Sequence, residues 1–275
     1  MTDALVTTEH LAANLDDPSI AIVEVDEDAS AYAGSHIPGA VALDWSNELH
    51  AHPRRDFVTA EELASLLGSK GVSDGQTIVL YGGNNNWFAA YGYWLLRYRG
   101  IDDVKLLDGG RAKWELEGRS LTDKVTEVTP QHFSTPQDRP ELRAFRDDVI
   151  ELAGKGQFVD VRSPAEFSGE VLAPPHLPQE QPYVPGHVPG AANVPWAKAA
   201  NEDGSFKSAD ELKELYTGAG LDLSAPVVTY CRIGERSSHS WFVLKELLGV
   251  EEVRNYDGSW TEYGSLVGVP VEVGD

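Results

Sequence analysis

The sequence predicts an α/β protein of two tandem domains, each a mainly parallel sheet flanked by helices. Three observations carry this. β-branched runs alternate with amphipathic stretches of helical period along the chain, the pattern of strands laid side by side by crossover helices. The order of parts in the first half returns in the second. At 275 residues the chain also exceeds the ordinary size of one domain, and each half is long enough to bury its own core.

In order, residues 8–15 read as a short helix and residues 20–25 as a buried strand. His36-Ile-Pro-Gly makes a turn into an apolar strand ending near Trp45. Thr59 and Glu62 form a capping box at the head of an amphipathic helix over 59–67. Thr77–Tyr81 is the next strand, residues 82–88 a loop entering a long apolar helix through Leu96, and Val104–Leu107 the last strand before Asp108. In the second half, His187-Val-Pro-Gly matches His36-Ile-Pro-Gly. Ser208 matches Thr59, Tyr230-Cys231 matches Tyr81-Gly82 and Asp257 matches Asp108, these three at one common spacing. Upstream, Phe158-Val-Asp-Val-Arg162 matches Ile22-Val-Glu-Val-Asp26, and a Pro-rich insertion over 172–186 accounts for the change of register. Residues 121–140, rich in Thr, Pro, Gln and Asp, lack an apolar period. The expected division is a first domain over 1–121, a linker over 122–141 and a second domain over 142–275.

A formal charge of -22 and a pI near 4.6 surround the molecule with a negative field that opposes nucleic acid and anionic membrane surfaces as partners. The first residues lack the basic and apolar segments of a signal peptide, and no run of about 18 apolar residues occurs. The expectation is a soluble cytoplasmic chain. A single cysteine forms no internal disulfide and no thiolate metal site, so no cofactor or metal is expected.

The repeat supplies an internal control: features in both halves point to scaffold, features in one half to chemistry. His36 and His187 recur, as do Asp108 and Asp257, and all four read as turn and packing residues. The loops differ. Cys231-Arg-Ile-Gly-Glu-Arg236 stands where the first half has Gly82-Gly-Asn-Asn-Asn-Trp87, so one domain is expected to be active and the other silent. A thiol at the start of a strand-loop-helix turn, flanked by Arg232 and Arg236, is expected to have a depressed pKa and to act as a thiolate nucleophile. Arg232 is the candidate for binding an anionic substrate, Arg236 a second and Arg162, where the first half has Asp26, a third. His239 lies inside the following helix, which argues against a role as base.

These residues resemble the tandem-domain thiosulfate sulfurtransferases of the rhodanese family, in a form similar to actinobacterial members. The resemblance rests on Cys231-Arg-Ile-Gly-Glu-Arg-Ser-Ser-His, Tyr32-x-x-x-His36-Ile-Pro-Gly-Ala40 and Tyr256-Asp-Gly-Ser-Trp260-Thr-Glu-Tyr263, and spans nearly the whole chain. It implies a double displacement. Cys231 takes the outer sulfur of thiosulfate, or of a similar anionic donor, as a persulfide and passes it to cyanide, a small thiol or a sulfur-acceptor protein. The loop residues Ile233, Gly234, Glu235 and Ser237 would wrap their N–H groups around the persulfide, with Asp160, Arg162 and Asp257 in support. Ile233 stands where relatives often carry lysine, and Glu166 where some carry a further arginine. The insertion before His187 resembles a segment lining the substrate entrance.

Three other functions compete. In 3-mercaptopyruvate sulfurtransferases the loop usually reads Cys-Gly-Ser-Gly, and the charged Arg232 favours thiosulfate instead. Phosphatases of this fold require arginine at the place of Ser237, one residue beyond Arg236. A non-catalytic binding module fits the first half but not Cys231.

Overall fold

The computed structural model describes residues 3–51, 55–174 and 180–274. The chain divides into two compact units, one of Met1–Arg139 with Glu202–Phe206 and the other of Pro140–Asn201 with Lys207–Asp275.

The first unit runs β1 (Leu5–Val6), α1 (Thr8–Ala13), β2 (Ile20–Asp26), α2 (Ser30–Gly34), β3 (Val41–Asp44), α3 (Trp45–Glu48), β4 (His50–Ala51), β5 (Asp56–Phe57), α4 (Ala60–Ser69), β6 (Thr77–Tyr81), α5 (Trp87–Tyr98), β7 (Val104–Leu107) and α6 (Gly110–Leu116). Its sheet has the order β1-β7-β6-β2-β3, parallel throughout. β4 and β5 pair separately as an antiparallel ribbon. The second unit runs α7 (Arg146–Leu152), β8 (Gln157–Asp160), α8 (Pro164–Ser168), β9 (Ala192–Asn193), α9 (Ala209–Gly218), β10 (Val227–Tyr230), α10 (Glu235–Phe242), β11 (Val253–Tyr256) and α11 (Ser259–Tyr263). Its parallel sheet has the order β11-β10-β8-β9.

Helix starts follow the caps legible in the sequence. Thr59 and Glu62 close a capping box on α4 and Ser208 and Glu211 one on α9, while a third, Ser163 with Glu166 on α8, went unread in the sequence. The first helix stops at Ala13 and the apolar helix runs from Trp87 to Tyr98, small shifts from the expected ends. α5 is buried on almost every residue and α10 on all, as expected of helices packed against a parallel sheet. Large side chains complete each core: Tyr81 and Trp114 in the first, Tyr230, Tyr256 and Trp260 in the second. Each such burial contributes roughly 1.5–3 kcal/mol.

The repeated motifs do the same work twice. Tyr81 Oη accepts the Ile37 N–H at 3.0 Å, and Tyr230 Oη accepts the Val188 N–H at 3.1 Å. His36 stacks on Tyr32 with ring centroids 3.8 Å apart and His187 on Phe167 at 3.6 Å, each Nδ1 facing a main-chain carbonyl. Both histidines are turn and packing residues.

Residues 122–139, within the stretch expected as a linker, lie along the first unit. Thr122 pairs with His36, Gln131 N–H bonds to Gly68 O, and Arg139 N–H to Tyr98 O. Among the described residues no helix is long and apolar enough to cross a membrane. Residues 175–179 of the Pro-rich insertion, expected to line a substrate entrance, lie outside the described residues.

Candidate active site

β10 lies between β8 and β11 with all four residues buried, so the chain leaves the sheet at its interior and meets Cys231 at once. In open parallel sheets, loops and helix N-termini gather at this carboxyl end. The loop 231–236 turns at Gly234, whose φ is 101°. A Cβ there would lie 2.6 Å from Cα of Asp257, so both the backbone angle and the close approach require glycine. The turn delivers the N-terminus of α10 to the sulfur.

Cys231 is fully buried. Its Sγ accepts the Gly234 N–H at 3.1 Å, and the thiol donates to Oε2 of Glu235 at 3.4 Å. The Ser237 N–H also acts on the sulfur. The Cys231 N–H is held by Ser259 Oγ at 3.0 Å, and that hydroxyl donates to Tyr256 O and stands 4.0 Å from Sγ. Ser259 occupies the left-handed region, with φ of 54°, a conformation that costs a non-glycine residue and tends to mark functional sites.

The thiol does not have the depressed pKa expected from its neighbours. Burial pushes it up and the Glu235 carboxylate adds to this, while Arg236 and the N–H groups of Ser237 and Gly234 oppose them in part. Burial was invisible in the sequence, and so was the direction of the shift.

The arginines also separate. Arg236 is buried and forms a bidentate pair with Glu166, at 3.0 and 3.1 Å, with its Nε 3.8 Å from Glu235. Its guanidinium is therefore engaged in the scaffold rather than presented to a substrate. Arg162 is buried against Asp160, at 2.6 Å, donates to Gly186 O at 2.7 Å and lies over the Trp260 ring. The first unit builds the same arrangement differently: Arg111, from α6, pairs with buried Glu24 at 2.5 Å and donates to Ser35 O at 2.7 Å. Glu24 and Ser35 match Asp160 and Gly186 in the repeat, so Arg162 and Arg111 fill matching places, each tying a buried carboxylate to a main-chain carbonyl. Arg232 is buried beside Cys231, its carbonyl tied to the Thr261 N–H, and desolvation holds its guanidinium below its usual value.

Around the loop, Gly234 O accepts from Ser237 Oγ, Ser238 Oγ and Asn255 Nδ2 at 3.0, 2.8 and 3.2 Å. Asp257 beneath Gly234 is held by Arg143 through two bonds of 2.8 Å. Ile233 is half-buried and brings no charge. His239 is buried in α10 with its ring edge-on to Trp196, a packing position. Sequence reasoning missed Ser259, Asn255 and the role of Glu166. Ser259 lies inside a motif quoted for other residues, and the partnership of Glu166 with a residue far along the chain left no local signal. Among the described residues no group of three or more His, Cys, Asp or Glu side chains could hold a metal ion.

The Rhodanese-like domain family matches residues 7–117 and 145–266. A protein of Mycolicibacterium smegmatis, provisionally named thiosulfate sulfurtransferase, is 58% identical over 99% of this chain and 99% of its own. The sulfur carrier protein TtuD of Thermus thermophilus is 50% identical over 99% of this chain and 98% of its own. Among solved structures, SseA from Escherichia coli, a 3-mercaptopyruvate sulfotransferase, superposes with a TM-score of 0.80 at 28% identity, covering 94% of this chain and 99% of that one.

Proposed function

Because the chain belongs to the rhodanese family, in which a cysteine loop carries sulfur, we propose that it is a thiosulfate sulfurtransferase acting through a Cys231 persulfide. The ionised sulfur of Cys231 attacks the outer sulfur of thiosulfate. The S–S bond of the donor breaks, sulfite leaves with the electron pair, and the transferred sulfur remains on Cys231 with a negative charge. Cyanide or a thiol then attacks that terminal sulfur and carries it off, returning Cys231.

The single observation behind this reading is the Gly234 N–H held 3.1 Å from Cys231 Sγ at the head of α10, where a developing charge on sulfur meets fixed N–H donors and the helix dipole. Such preorganised donors are worth most in a dry site. Ile233, Glu235 and Ser237 complete the loop, and Asp160 and Asp257 hold its base. Arg232 is the cation proposed to recognise the donor, with Arg162 and Arg236 in supporting ion pairs. The work divides between a silent domain over 1–121 and a catalytic one over 142–275, joined through 122–141.

The likeness to SseA favours 3-mercaptopyruvate as the second reading of the donor. The two part on kcat/KM measured for both donors with the pure protein. Thiosulfate is expected to exceed mercaptopyruvate at least about tenfold, a difference of about 1.4 kcal/mol. A preference for mercaptopyruvate overturns the choice. The acceptor is proposed to be cyanide, a small thiol or a sulfur-accepting protein, and the relative named as a sulfur carrier supports the last of these.

A further inference from the structure

A buried thiol needs somewhere to put its proton before it can attack. The Cys231 Sγ donates to Glu235 Oε2 at 3.4 Å, and both groups are removed from solvent, with Glu235 only 2% exposed. The groups facing this pair are Arg236 on α10, with its Nε 3.8 Å from the carboxylate, Glu166 on α8 behind Arg236, and Arg232 in the loop. From α11 comes the neutral hydroxyl of Ser259. Asp257 approaches Gly234 with its backbone, and its carboxylate is turned to Arg143. The carboxylate at 235 is thus the group placed to accept from the thiol. At the matching place in the first unit stands Asn86, an amide that cannot take a proton and that bonds instead to the Gly82 N–H at 3.0 Å.

We infer that Glu235 is a catalytic residue that accepts the Cys231 proton when the sulfur donor arrives, stores it while the persulfide exists, and returns it when the acceptor leaves with the sulfur. This rests on the sulfur-transfer reading above. In the first half, thiol, carboxylate and thiosulfate become persulfide anion, carboxylic acid and sulfite. The S–H bond breaks, its proton moves to Glu235 Oε2, and the freed pair on Sγ forms the new S–S bond as sulfite departs with the pair of the old one. In the second half cyanide takes the terminal sulfur as thiocyanate, and the cysteine thiolate left behind recovers its proton from Glu235. Charge and protons balance within the site in each half, and the acid form of Glu235 can donate a hydrogen bond to the persulfide. A carboxylate facing the persulfide would repel it; a carboxylic acid stabilises it.

The test is Glu235→Gln, which keeps shape and removes the proton acceptor. Sulfite release from thiosulfate is followed by rapid mixing at about pH 6 to pH 10 in wild type and variant, and ionisation of Cys231 is read separately from its rate of alkylation by iodoacetamide. The expected result is a first step slowed about 10²-fold at pH 6 in Glu235→Gln. That step should recover as pH rises, along the curve that alkylation traces for the Cys231 thiol, while wild type shows no such rise. Glu235→Asp, which retains a carboxylate, should keep activity within about tenfold of wild type. A Glu235→Gln variant that releases sulfite at the wild-type rate at pH 6, or that is slowed equally at every pH, overturns the role of Glu235. Wild-type protein that itself takes no sulfur from thiosulfate overturns the sulfur-transfer reading with it, so the two failures are told apart.

Discussion

The loop after β6 and the loop after β10 start from the same strand, the same tyrosine and the same turn toward a helix, and they end as opposite things. In the second unit the backbone N–H of Gly234 points at a sulfur. In the first, the corresponding space is filled from within. Asp26 accepts the Gly83 N–H at 3.0 and 3.2 Å, and Asn86 takes the Gly82 N–H while donating to Leu107 O at 2.7 Å. Asn84, Asn85 and Asn86 all sit at positive φ, between 45° and 61°, so the chain adopts a left-handed run rather than an open cradle. A strand-loop-helix turn is a ready anion site, and the first unit has supplied its own anion. The first loop thus lacks a thiol and is also closed from within, so a cysteine at residue 82 would not by itself reproduce the loop around Cys231.

That contrast can be broken from either side. The largest effect is expected where the second loop depends on a buried charge pair absent from the first, which has Trp87 at the place of Arg236. Glu166→Ala strands the buried guanidinium of Arg236 and is expected to cost about 3–5 kcal/mol, read as a fall in the denaturant midpoint at unchanged slope. A variant as stable as wild type would mean that Arg236 is not tied into the scaffold.

A smaller loss should follow Gly82→Cys. The new Cβ would meet Val25 O at 2.4 Å and Asp26 Oδ1 at 3.2 Å. The expected outcome is a destabilisation of about 1–3 kcal/mol and no sulfur carried at residue 82 after treatment with thiosulfate. Recovery of a persulfide at that position would show that the first loop differs only in its missing thiol.

The smallest effect concerns Asp26, whose pKa burial raises to about 6 despite the Gly83 N–H. A carboxyl raised on folding stabilises the fold while protonated and loses that contribution as pH climbs through about 6. Asp26→Asn, which keeps an acceptor for Gly83, should therefore raise stability by about 1–2 kcal/mol above that pH, with the advantage fading toward pH 4. Thermal unfolding at the two pH values checks this, and an advantage confined to acid pH would reverse the sign.

Much of the scaffold was legible because the chain states it twice. Tyr81 and Tyr230, His36 and His187, and the boxes at Thr59 and Ser208 occupy matched places and make matched bonds. What escaped was whatever depended on a partner far along the chain or on burial. Arg162 read as a difference between the halves, yet Arg111 performs its task in the first unit from a helix, a substitution in space that no alignment of the halves displays. Arg236 read as available because Glu166 lies 70 residues upstream. The thiol read as acidic because its charged neighbours are adjacent in sequence, while the desolvation that outweighs them belongs to the folded core. The segment 122–139 read as a linker because its attachments to the first unit are main-chain bonds and polar pairs, such as Ser134 with Asp74 and Arg99 with Asp138, which leave no hydrophobic period.

The central claim is that sulfur is carried at one place, on Cys231. Intact and peptide mass spectra of the protein after thiosulfate and removal of excess donor test it most directly. The expected result is a gain of one sulfur atom, about 32 Da, on the peptide holding Cys231, removed by cyanide with release of thiocyanate and absent from Cys231→Ser. Protein whose mass is unchanged by thiosulfate, or Cys231→Ser that still gains the sulfur, would contradict it.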